Sequence, residues 1–272
     1  MTKVALLVTG KLEALGLAEC LGRVFPQAEF HVDMRLDGFT TSRVRNLGAT
    51  RVPGLVDKLA AALVAAVDPG RDARRSDLAV AIDDLEVANL DQPEVVVEAF
   101  RDAVARHLYA RWPSSARREA AAERVRGRAS FHVLAPMTEA YFFGADDTLR
   151  AASVTAIPDL APGVDLEAFT VVDAPFLAAP VDSAEWARPD RARHPKRYLK
   201  YLTGSAYRET QEGLAALKAL DARALVQRST NQLLFLRALL ADIADGVDDN
   251  SLAFVDPCHP ATRLGARVLR NA

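Results

Sequence analysis

Cysteine is almost missing from this chain: Cys20 and Cys258 are the only two in 272 residues. That excludes a disulfide scaffold and a cysteine-based zinc site. Histidine is scarce too. His31, His107, His132, His194 and His259 show no H-E-x-x-H or comparable spacing, so no histidine metal centre is written in the sequence. His31 and His132 fall in strand patterns and read as structural. No apolar run is long enough to span a bilayer, the longest candidate being broken by Lys58 and Asp68. The opening MTKVALLVTG soon meets charge and does not read as a secretory leader; the expectation is a cytoplasmic protein with no membrane partner. G-x-S-x-G is absent, which argues against a serine hydrolase. Gly10 stands alone after the first strand, so the dinucleotide fingerprint is missing. Gly10-Lys11 is no P-loop either, lacking the further glycines and the Ser or Thr after the lysine. A net charge of -2 speaks against a wholesale nucleic-acid-binding surface but leaves room for a local basic groove.

What is present is alternation. Half of the residues are apolar, and they come in two periods. Residues 4–8 (VALLV) and 78–82 (LAVAI) are short continuous runs, as expected of strands buried on both faces. Residues 28–32 and 129–135 read as two further strands. Between them the helical period recurs over residues 11–24, 55–67, 95–112 and 114–128, with Cys20 on a core face and Pro93 in a first turn. A short helix begins at Thr138. Strand and helix in turn predict an α/β fold, a mostly parallel Rossmann-like sheet flanked by helices. Residues 33–53, with Arg43, Arg45 and Arg51, read as loop, and residues 169–172 as a further strand. Residues 194–202, 207–220, 221–228 and 231–243 read as helices. The organisation expected is an α/β body over residues 1–152 with a mainly helical extension over 153–272 packed on it.

Three candidate sites belong at the carboxyl edge of such a sheet, where open α/β folds bind ligands. One is Gly10-Lys11-Leu12-Glu13, where a glycine lets backbone approach a ligand and a helix amino terminus favours an anion. The second is Asp83, Asp84 and Glu86, just after the run 78–82. Grouped carboxylates repel one another unless a cation joins them; the alternative is a solvated acidic turn. The third is Glu139, after the fourth strand. The basic stretch Arg191, Arg193, Lys196, Arg197 and Lys200, with Tyr198 and Tyr201, offers phosphate contacts and a base-stacking surface, or else an amphipathic helix with half-buried tyrosines. Arg71, Arg74 and Arg75 precede the central strand. The five arginines of residues 114–128 have Glu119 and Glu123 as intrahelical partners and read as a solvated face.

These residues fall in a known order. A glycine turn with Glu13, then Asp84-Leu85-Glu86, then the stretch 136–143 (PMTEAYFF), then 195–199 (PKRYL) and 207–213 (YRETQEG) together resemble the bacterial TOPRIM-like proteins grouped as domain of unknown function 4276. The resemblance spans nearly the whole chain. It implies a TOPRIM fold, a Mg²⁺ (or Mn²⁺) cofactor, nuclease action on nucleic-acid phosphodiesters, and a place in phage defence beside a partner ATPase. Carried over by position, Asp84 and Glu86 match the TOPRIM acid pair, with Glu in place of the second Asp. Gly10 and Glu13 match the flanks of the first-strand motif, and Glu139-Ala140 part of a later acidic motif. Two departures stand out: Thr9 occupies the place of the principal glutamate, and Met137 that of another acid. The expected set is therefore Glu13, Asp83, Asp84 and Glu86 for catalysis, and Asp84, Glu86 and Glu139 for the metal. Lys196, Arg197, Lys200, Gly10 and Lys11 are expected at nucleic acid. The departures leave two readings, a metal-dependent nuclease or a degenerate subunit that serves as scaffold in a defence complex. A small-molecule phosphotransferase lacks any nucleotide-binding signature.

Overall fold

The two continuous apolar runs form the centre of a four-stranded sheet, ordered β2-β1-β3-β4 and parallel throughout. The strands are β1 (Thr2–Val8), β2 (Ala28–Arg35), β3 (Leu78–Asp84) and β4 (Ala129–Leu134). A computed structural model describes residues 1–36, 54–68, 76–179, 191–228, 232–249 and 268–271. Arg43, Arg45, Arg51, Arg71, Arg74, Arg75, Cys258 and His259 lie outside the described residues.

Helices cover both faces of the sheet, which is why its central strands have no polar side. Val4, Leu6, Val8, Leu78, Val80 and Ile82 face α1 (Lys11–Val24) and the later helices. Ala5, Leu7, Ala79, Ala81, Phe131 and Val133 face α2 (Gly54–Val67), α3 (Pro93–Arg111) and α4 (Ser115–Arg128). The fold is thus α/β, a parallel sheet between helical layers, as expected. Among the described residues no helix is long and apolar enough to cross a membrane.

The chain reverses direction at β1. It steps outward to β2 through α1, then crosses back to β3 on β1's other side, with Val8 paired to Ile82. The carboxyl ends of β1 and β3 therefore flank a topological switch point, where the departing loops leave a crevice.

The second half adds a 3₁₀ turn (Thr138–Gly144) and α5 (Asp146–Ala151), α6 (Ala174–Ala178) and α7 (Pro195–Leu202). A π-helical turn (Glu209–Gly213) then leads into α8 (Leu214–Ala219), followed by α9 (Ala222–Arg228) and α10 (Leu234–Gly246). Leu199, Leu217, Leu225 and Leu240 share one core with α1 and β1. The strand expected over residues 169–172 is not formed: Val171 makes an isolated antiparallel bridge with Leu160. Proline and acidic residues crowd that segment, and one bridge is all it sustains. Residues 33–35, expected in a loop, extend β2 instead.

The outer edge of β4 is closed by the chain's last described residues. The Arg270 N–H donates to the Ala129 carbonyl at 2.9 Å. The Asn271 side chain accepts from the Phe131 N–H and donates to its carbonyl. His132 proves structural: it is fully buried, with Nε2 3.1 Å from the Asp242 carboxylate on α10. Asn271→Ala would strand two buried backbone groups of Phe131 and is expected to cost about 2–3 kcal/mol. A lowered denaturation midpoint at constant m-value is the signature; an unchanged midpoint would mean the edge is closed by other groups.

Candidate functional site

A cleft of about 350 Å³ opens at the switch point. Six carboxylates line it: Glu13, Asp83, Asp84, Glu86, Glu139 and Glu209. Among the described residues that line it, two lysines, Lys11 and Lys196, stand against them, so this lining is strongly acidic on a chain that is nearly neutral.

The six acids arrive by four routes. Asp83 and Asp84 end β3, and backbone pairing continues past them, the Leu85 N–H donating to Leu134 and the Glu86 N–H to Pro136. Glu86 itself sits at φ 64°, ψ 151°, a region that side chains other than glycine's rarely occupy and that costs of order 1–3 kcal/mol. Strain of that size at a non-glycine residue is concentrated at functional sites. Glu13 comes from the first turn of α1, and its carboxylate folds back over Gly10. A Cβ at Gly10 would lie 1.9 Å from Glu13 Oε2, so only glycine lets this carboxylate lie where it does. Glu139 comes from the turn after β4, and Glu209 opens the π-helical turn.

Hydrogen bonds stitch these routes together. The Thr138 hydroxyl donates to Glu13 Oε1 at 2.5 Å, and the Thr138 N–H donates to Asp84 Oδ1 at 3.0 Å. One residue thus ties α1, β3 and the turn after β4. The Thr9 hydroxyl donates to Asp83 across the β1–β3 pair. The place of the expected first-strand glutamate is therefore filled by a hydrogen-bond donor, while Glu13, one turn onward, supplies a carboxylate from the same side. Glu139 accepts from the Tyr207 hydroxyl at 3.2 Å and faces the Lys196 ammonium at 3.8 Å. That ammonium also pairs with Glu209. Gly213 makes room for Tyr207, since a Cβ there would meet the tyrosine oxygen at 2.6 Å.

Crowding of like charges out of water perturbs the acids. Burial, reinforced by Glu139, pushes the Glu13 carboxyl up to about 7, against the hydrogen bond from Thr138. Burial, then Asp83 alongside, pushes Glu86 up to about 8. Asp84 is held well above its ordinary value by burial and by Glu13, Glu86 and Glu139 around it. Burial would lower the Lys196 pKa, but Glu139, Glu209 and Asp84 outweigh it and raise it.

Of the expected residues, Glu13, Asp83, Asp84, Glu86, Glu139, Gly10, Lys11 and Lys196 all line this one cleft. Two expectations change. Asp84, Glu86 and Glu139 share the cleft, yet no group of three or more His, Cys, Asp or Glu side chains among the described residues is posed to hold a metal ion. The reason is visible: Thr138 holds Asp84, while Lys196 and Tyr207 hold Glu139. The basic aromatic helix also divides. Lys196 turns inward to the acids, and Tyr198 is fully buried among Phe143, Phe169 and Phe176, so it offers no base-stacking surface. Arg197 and Lys200 are not among the cleft residues. Thr138, Tyr207 and Glu209 had no assigned role in the sequence, although all three lie within the stretches that carry the resemblance. No protein-family model matches the chain, and no curated protein or solved structure matches it either.

Proposed function

We propose that this is a TOPRIM-like protein whose cleft takes up Mg²⁺ or Mn²⁺ and acts on nucleic-acid phosphodiesters, in phage defence beside a partner ATPase. The observation that carries the chemistry is the meeting of Glu13, Asp84, Glu86 and Glu139, from three separate segments, in one cleft at the switch point. Defence and the ATPase rest on the sequence resemblance alone.

The donor set fits the ion in kind: carboxylate oxygens are the hard ligands Mg²⁺ prefers, and it keeps several waters, so few protein ligands suffice. Asp84, Glu86 and Glu139 are the side chains that would hold it. Bound there, a divalent cation supplies charge neutralisation to a phosphoryl group in transfer. The chain's own residues do the rest. Glu13, at about 7, is poised to hold or release a proton at its carboxylate near neutral pH. Thr138 keeps it oriented towards Asp84. Lys11 and the amino terminus of α1, at the mouth, favour an incoming phosphate.

A second reading is favoured by a specific pair of contacts. Thr9 stands in an acid's place and Lys196 already neutralises Glu139, as in a subunit that has lost catalysis and serves as a scaffold. Calorimetric titration with Mg²⁺ and with Mn²⁺ separates the two. Wild type is expected to bind, and Asp84→Ala to bind at least about tenfold more weakly. Cleavage of single- or double-stranded DNA or RNA should follow the same cation dependence, alone or with the product of the neighbouring gene. Absence of binding heat in wild type would leave only the scaffold reading.

A further inference from the structure

We propose that Lys196 is a tethered counter-ion of this cleft, a monovalent cation built into the chain that an incoming divalent cation must displace. The inference rests on the cation-binding reading of the cleft and adds how uptake there is regulated.

Three observations carry it. The Lys196 ammonium lies within ion-pair reach of both Glu139 and Glu209, and its side chain is only one-quarter exposed. It comes from α7, an element outside the α/β body, so its presence among acids from the strand ends is a matter of tertiary packing. And α7 is firmly seated: Tyr198 is fully buried, donates to Asp173 at 3.0 Å and accepts from the Asp159 N–H at 2.8 Å, while Leu199 enters the main core. The backbone cannot carry the ammonium away, so only rotation of the lysine stem releases Glu139.

Opposite charge among grouped carboxylates lowers their repulsion in the way a metal ion would. A lysine does so with one charge and a flexible stem, which a divalent ion can outcompete. In this arrangement Glu139 is shared between two states: paired with Lys196 and Tyr207 when no divalent ion is bound, and turned to the cation when one is. Lys196 thereby sets the concentration at which the cleft fills. It also explains why acids that share a cleft are not already posed around a common point.

The test compares wild type, Lys196→Met, which keeps the aliphatic stem without the charge, and Lys196→Arg, which keeps the charge. Mg²⁺ binding is read by calorimetry and by the rise in thermal midpoint across an Mg²⁺ series after chelator treatment. Lys196→Met is expected to bind Mg²⁺ about tenfold more tightly than wild type, a change of about 1.4 kcal/mol, with Lys196→Arg close to wild type. A wild-type measurement guards against a variant that fails to fold. Acylation by acetic anhydride, followed by peptide mass spectrometry, should modify Lys196 several-fold faster in saturating Mg²⁺ than in chelator, with exposed Lys58 and Lys200 as internal references. If wild type and Lys196→Met bind Mg²⁺ equally, or Lys196 reactivity is unchanged or falls, the counter-ion role is overturned while the cation site stands. If neither protein binds, both fall together.

Discussion

Replacing Glu167 with alanine is expected to lower folding stability by about 3–5 kcal/mol. Glu167 is buried between the two halves of the chain. Its carboxylate accepts from the Phe235 and Leu236 N–H groups, at 3.0 and 2.9 Å, and from the Tyr141 hydroxyl at 2.9 Å. Phe235 and Leu236 begin α10, whose first N–H groups have no partner within the helix. An acid from elsewhere in the chain thus caps a buried helix end, and its removal orphans three donors at once. Tyr141 belongs to the same 3₁₀ turn as Thr138 and Glu139, so the cap also braces the wall of the cleft. Equilibrium denaturation checks the magnitude, and Tyr141→Phe, which removes one donor of the three and the oxygen that accepts from the Ala135 N–H, should cost about 1–2 kcal/mol. A loss for Glu167→Ala no greater than for Tyr141→Phe would mean that water replaces the carboxylate and the brace is not needed.

None of that brace was legible in the sequence, and the reason is physical. Glu167 and Phe235 are 68 positions apart, and nothing in the local pattern of residues 166–168 announces a partner. The sheet was legible because burial on both faces writes itself locally: residues 4–8 and 78–82 carry no polar side chain, and a run of that kind has few other places to go. Those same strand ends located Asp83, Asp84 and Glu86, since topology puts every carboxyl end of a parallel sheet on one edge. Glu13 could be anticipated from its place one turn beyond Gly10. Lys196 could not be given its role: a basic helix with tyrosines at helical spacing looks alike whether its lysine meets phosphate or the chain's own acids. Only packing of α7 against the 3₁₀ turn decides, and that depends on the aromatic cluster around Tyr198.

Asp84→Asn is expected to stabilise the cation-free protein at pH 8 by about 1–3 kcal/mol while abolishing divalent-cation uptake. The Thr138 N–H donates to Asp84 Oδ1, and an asparagine carbonyl can accept the same bond, so the substitution removes the charge and keeps that contact. What it relieves is repulsion from Glu13, Glu86 and Glu139, on top of the cost of burial. The pH dependence of the wild type must show the same stress. A carboxyl whose folded pKa lies above its unfolded one binds more protons folded than unfolded, so stability falls as pH rises through that interval. For Glu13 and Glu86 the interval runs from the ordinary 4.5 to about 7 and about 8 respectively, and buried Glu167, outside the cleft, adds a like interval up to about 7 that no cation removes. Stability measured with chelator present should therefore be greatest near pH 5 and decline towards pH 8, by about 1.4 kcal/mol per pH unit for each proton retained. Saturating Mg²⁺ binds the ionised acids and should flatten or reverse that slope, and Asp84→Asn should reduce it without any cation. A residue that only holds the fold together loses stability when its charge is removed; one kept for a ligand gains it. Should Asp84→Asn destabilise the protein at pH 8, with stability level or rising between pH 5 and 8, the acids would be compensated by their own pairing, and the cleft would be a structural joint.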